Sequence, residues 1–89
     1  MKAIEALKHI NEIFPKYVAL AKDENGEIYT HITEKIHPDN ISLFWCGGYN
    51  GDPKGWILIG EKFASKIEWD SQDWTENIVT INDLQDELN

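Results

Sequence analysis

Apolar residues recur at three- and four-residue steps near the start of the chain: Ala3, Leu7, Ile10 and Phe14, with Ile4 and Ala6 widening the stripe. That is the period of a helix with one buried face, and it predicts a helix over 2–14. Lys2, Glu5, Lys8, Asn11 and Glu12 fall mostly on the other faces, and His9 reads as a helix-surface residue. Pro15 ends the helix by pushing Phe14 out of the α region.

The period then changes from helix to strand. KYVALAK and GEIYTHI flank Asn25-Gly26, a hairpin signal because both residues tolerate positive φ. A two-residue turn there sets Glu24 opposite Glu27 and Lys22 opposite Tyr29, with Val18, Leu20, Ile28 and Ile32 on a buried face. Residues 33–40 are dense in turn formers and read as a loop. Residues 41–46, ISLFWC, predict a third strand, and 56–59, WILI, a short buried one. The glycine-rich stretch 47–55 joins them as a second hairpin. Residues 60–65 fit one helical turn or a strand continuation. Residues 66–70 alternate as a half-buried strand does, 71–73 turn, and 77–81 predict a last strand. Asn82, with Gln85 three positions on, is a capping candidate for a short closing helix, and Asp83 suits its positive end. The sum is a single α+β domain over 1–89: an N-terminal helix packed on a small antiparallel sheet of about 4–6 strands.

Composition bounds what such a domain does. With 89 residues, 42% of them hydrophobic, one modest core forms without a staple. Cys46 is the lone cysteine, so the chain makes no internal disulfide, and a free thiol suits a reducing cytoplasm. The N-terminus is too charged for a secretory leader, and no apolar run reaches membrane-spanning length, so a soluble cytoplasmic protein is expected. Charge changes the picture most. Residues 1–66 carry nine acids and eight lysines, whereas 67–89 carry seven acids and no base. Most of the net charge of −8 therefore sits in the last quarter of the chain. That field repels nucleic acid and anionic membranes and attracts basic protein surfaces.

No pattern here specifies catalysis. The glycines after Cys46 lack phosphate-loop spacing. Cys46 has no neighbouring base in sequence and reads as an inert thiol at a strand end. His31, His37 and Cys46 sit at no recognised metal-ligand spacing. No catalytic residue, metal site or cofactor is therefore assigned. Two binding surfaces remain. The sharper is acidic: Glu68, Asp70, Asp73, Asp83, Asp86 and Glu87. On a strand Glu68 and Asp70 point the same way about 6.6 Å apart, close to the spacing of successive phosphates. Asp83, Asp86 and Glu87 share a helix face. The same residues also read as a solvated edge that blocks strand-to-strand aggregation. The other surface is the aromatic, glycine-rich loop with Tyr49, Asn50 and Asp52, suited to a small ligand.

The order of features, with Trp56-Ile57-Leu58-Ile59, then Lys62-Phe63 and Ile67-Glu68-Trp69, resembles small acidic proteins encoded by bacteriophages and prophages. The resemblance covers about residues 17–70 and transfers no functional residue. It implies an accessory protein, of a kind that includes inhibitors of host nucleic-acid enzymes. The expected function is a non-enzymatic protein-binding module that engages a basic, nucleic-acid-binding surface. A small-ligand domain using the 47–55 loop and a cryptic enzyme or enzyme subunit are the alternatives.

Overall fold

A computed structural model describes residues 1–47 and 55–88, without the side chains of residues 87 and 88. It is α+β, with the N-terminal helix α1 (Ala3–Ile13) packed on a four-stranded antiparallel sheet. The sheet contains β1 (Ala19–Lys22), β2 (Ile28–His31), β5 (Trp56–Leu58) and β6 (Ile78–Thr80), in the order β5-β2-β1-β6. A separate two-stranded sheet pairs β3 (His37–Asp39) with β4 (Phe44–Cys46). Two short helices complete the chain, α2 (Glu61–Ala64) and α3 (Ile81–Leu88). Among the described residues no helix is long and apolar enough to cross a membrane.

The core lies between α1 and one face of the sheet. Ala3, Ala6 and Leu7 meet Leu20, Ile28 and Ile67, with Ile10, Phe63, Val79 and Leu84 packed around them. The predicted stripe is thus correct in its first two turns and fails at its end, where Phe14 is 55% exposed. The N-terminus is tied down by Lys2–Glu68 pairing: Ala3 N–H donates to Glu68 O at 3.1 Å and Glu68 N–H to Met1 O at 2.7 Å.

Hairpin register departs from expectation by one residue. The pairs are Lys22–Ile28 and Ala21–Tyr29, not Lys22–Tyr29. The turn uses three residues, with Gly26 at φ +90° and its N–H donating to Asp23 O at 3.0 Å. Only Gly26 takes the positive φ, so the loop is the bulged three-residue type and not the two-residue turn that Asn-Gly suggests. Asn25 contributes instead through its side chain, which accepts from Glu27 N–H at 2.9 Å. In this register Leu20, Ile28 and Thr30 share the face toward α1, so Leu20 and Ile28 are buried as expected, while Val18 is half-buried and Ile32 is 37% exposed.

Five other expectations are corrected. Residues 33–40 contain β3, because Pro38 is tolerated in a two-stranded sheet that is all edge. β4 does not pair with β5: β4 pairs with β3, and β5 closes the main sheet beside β2. Residues 56–58 form an exposed edge and not a buried strand, at 42%, 51% and 49% for Trp56, Ile57 and Leu58. Residues 66–70 make a single bridge and no ladder, yet Ile67 turns inward and Glu68 and Asp70 outward as alternation requires. Where β6 runs into the closing helix, Thr80 donates its N–H and its hydroxyl to Asp83 Oδ2, at 2.8 and 3.3 Å, so the Asp83 carboxylate reaches back onto the residue before the helix. Asn82 caps nothing there; its amide donates to Glu34.

Candidate functional site

The acidic residues of the last quarter separate into two sets. Glu68, Asp70 and Asp83 line one cleft of about 410 Å³, together with Glu76, which sequence reasoning counted as charge and did not place. Three stretches supply them. Inward-turned Ile67 leaves Glu68 and Asp70 outside; a 3-10 turn over Trp74–Glu76 supplies Glu76; and the start of α3 supplies Asp83. Lys2 is the one cation among the described lining residues, and Trp69 supplies an aromatic wall. The Trp69 indole N–H is buried and has no hydrogen-bond partner among the described residues.

Asp73 and Asp86 are exposed and outside this cleft. Asp73 caps the 3-10 turn, accepting from the Thr75 hydroxyl at 2.7 Å and from Thr75 N–H at 3.0 Å. Those two bonds hold its carboxyl below the usual range. Glu87 has its side chain outside the described residues, as do Tyr49, Asn50 and Asp52 entirely.

A second, larger cavity of about 510 Å³ lies between the β1–β2 turn and β4. Tyr29, Phe44, Trp45 and Trp56 supply aromatic walls, and Asp23, Glu24 and Glu27 supply carboxylates. Asp23 is 6% exposed and accepts from Trp45 N–H through Oδ1 at 2.8 Å. Burial raises its carboxyl to about 6; the Trp45 hydrogen bond pulls the other way, and Glu27 adds to the rise. Trp45 is fixed further by its indole, which donates to Lys22 O at 3.1 Å and Trp74 O at 3.3 Å, and by an edge-on contact with Trp74. Sequence reasoning missed Asp23 because it reads as one turn-forming acid among sixteen. Its one signal was its place at the end of an apolar strand.

Cys46 is half-buried and faces His37 across the β3–β4 pair, with Sγ 4.0 Å from His37 Nε2 and 4.0 Å from Asp39 Oδ2. Burial raises the thiol, and Asp39 and Asp23 raise it further, so the thiolate is disfavoured. Among the described residues no three His, Cys, Asp or Glu side chains gather as a metal site. Comparisons with protein-family models, with curated proteins and with solved structures give no match.

Proposed function

We propose that this chain is a non-enzymatic protein-binding module whose acidic cleft engages a basic segment of a partner protein. The observation that carries the reading is convergence. Glu68, Asp70, Glu76 and Asp83 come from three separate stretches and surround one cleft with a single lysine. A merely solvated acidic surface gives no reason for them to meet. Trp69 adds an apolar wall for the stem of a lysine or arginine. The field of a chain carrying −8 steers such a partner toward the surface. The likeness to phage accessory proteins suggests the partner surface, one that ordinarily binds nucleic acid. Glu68 and Asp70 would occupy positions of successive phosphates. The non-enzymatic part of the reading is supported by the Cys46 thiol, which its surroundings raise.

The test uses a short lysine-rich peptide and measures association rates at low and high salt. Glu68→Gln/Asp70→Asn is compared with Glu5→Gln/Glu12→Gln, which removes equal charge from α1. Attraction across the cleft predicts the larger loss for the first pair, fading as the Debye length falls to about 8 Å at physiological salt. Equal losses would reduce the acidity to net charge, and an unaltered rate in both would end the proposal.

A further inference from the structure

The cavity beside the β1–β2 turn differs from the acidic cleft in kind. Its described lining holds three carboxylates, four aromatic rings and no lysine or histidine. At about 510 Å³ it falls within the range of small-molecule sites, roughly 300–1,000 Å³. The decisive group is Asp23. It is 94% buried by its 6% exposure, lines the cavity, and spends only Oδ1 on the protein, at Trp45 N–H. Its Oδ2 is not among the fully buried, unpartnered side-chain atoms, so it is reached from the cavity that Asp23 lines. A carboxylate held mostly out of water is completed best by a positive group.

Asp23 also has an architectural role: it fastens β4 to the hairpin turn. That role needs one acceptor oxygen and no charge. It leaves unexplained why Glu27 stands where it raises the cost of ionising Asp23, why Glu24 lines the same space, and why aromatic faces enclose it. Aromatic faces attract cations through the ring quadrupole, and carboxylates add direct pairing. We infer that this cavity binds a small organic cation, a primary ammonium carried on an apolar body, with Asp23 as the ion-pairing group and Tyr29, Trp45 and Trp56 as the enclosing walls. The cavity shares no lining residue with the acidic cleft, so either can fail without the other.

Several titratable groups face this space. Asp23, Glu24 and Glu27 come from the hairpin turn, Tyr29 from β2 and Cys46 from β4. His37 and Asp39 of β3 lie behind Cys46. Of these, Asp23 changes charge near pH 6. Cation binding requires the ionised form, so affinity rises with pH through that region and levels off above it.

The experiment is a titration with 2-phenylethylammonium, followed by the four tryptophan indole N–H signals in NMR. The neutral comparator is 2-phenylethanol. Expected are larger shifts at Trp45 and Trp56 than at Trp69, which lines the acidic cleft and a third cavity that Asp23 also borders. The ammonium should bind at least about tenfold more tightly than the alcohol, and its affinity should fall about tenfold between pH 8 and pH 5. Asp23→Asn keeps an oxygen for Trp45 and should abolish both differences. If that variant fails to fold, Glu27→Gln at the cavity rim should still weaken the ammonium about two- to fivefold and leave the alcohol unchanged. Equal binding of amine and alcohol, shifts confined to Trp69, or no shift with millimolar amine would each overturn the assignment. So would a lysine-rich peptide that moves Trp45 and Trp56 where the free amine does not, since the occupant would then be a polypeptide.

Discussion

The two faces of the four-stranded sheet are closed by opposite chemistry. On one, α1 lays Ala6, Leu7 and Ile10 against Leu20, Ile28 and Val79, and nothing in that contact titrates. On the other, β1 and β2 present Ala19, Ala21, Tyr29 and His31, and the β3–β4 hairpin is held in part by polar bonds. Asp23 accepts from the Trp45 backbone and the Trp45 indole donates to Lys22 and Trp74 carbonyls. His31 is 2% exposed on this face. Apolar closure gives stability that ignores pH. Polar closure gives position, leaves a cavity, and makes stability depend on the protonation of two buried groups.

The largest effect should fall on the apolar face. Leu7 is fully buried, and Leu7→Ala should cost about 2–5 kcal/mol in urea unfolding, with a similar loss at pH 5 and pH 8. A loss that varied strongly with pH would break the contrast between the faces.

The next effect belongs to the polar face and is a change of slope. Burial lowers His31 to about 4, so it charges less readily when folded. Its contribution is present above its unfolded value of 6.5 and is lost as pH falls toward 4. Asp23 has the opposite sign. Its folded value of about 6 lies above 3.8, so stability is fullest below 3.8 and is lost as pH rises through 6. Each shift corresponds to on the order of 3 kcal/mol, and they oppose one another across the same window. The parent should therefore show a nearly flat stability between pH 4 and pH 6.5, flatter than either group alone allows. Asp23→Asn should expose a loss on acidification, and His31→Phe a gain. Two flat profiles would show that neither group is coupled to folding.

The same division explains what was legible in the sequence. The Ala3–Leu7–Ile10 spacing led to α1 and the core because helical period and burial are one fact. The α+β class, the first two strands and the exposure of Glu68 and Asp70 followed from alternation in the same way. Strand partners did not, since ISLFWC and WILI carry no mark of which strand they join. β4 and β5 end in different sheets. The hairpin register was lost to a single residue, because Asn25-Gly26 is compatible with two turn types and only Gly26 takes the positive φ. Three carboxylates of the acidic cleft were named beforehand, but their meeting depends on long-range folding, as does the inclusion of Glu76. Asp23 was invisible for a similar reason, since burial of a turn acid is decided by a hairpin twenty residues away.

A smaller effect should mark the junction where β6 becomes α3. Thr80 donates its N–H and hydroxyl to Asp83, so Thr80→Ala removes one of two bonds and should cost about 0.5–1.5 kcal/mol. Asn82→Ala should cost less, because Asn82 bonds only Glu34 at the surface. A reversed order in thermal unfolding would make the Asn82–Glu34 bond the more important of the two.

The smallest effect on folding should come from the residues proposed to bind. Glu68 and Asp70 are exposed, and their backbone, not their carboxylates, ties this stretch down, through Glu68 O and Glu68 N–H. Glu68→Gln/Asp70→Asn should therefore shift stability by no more than about 0.5 kcal/mol. The sign should be favourable at low salt, since the chain carries −8 and every removed charge relieves self-repulsion. Added salt should erase that gain by screening the same repulsion, so the variant and the parent converge as ionic strength rises. Urea unfolding at two salt concentrations checks both points. A loss above about 1 kcal/mol at either salt would mean the carboxylates hold the cleft together, and their effect on a basic partner could no longer be read as binding alone.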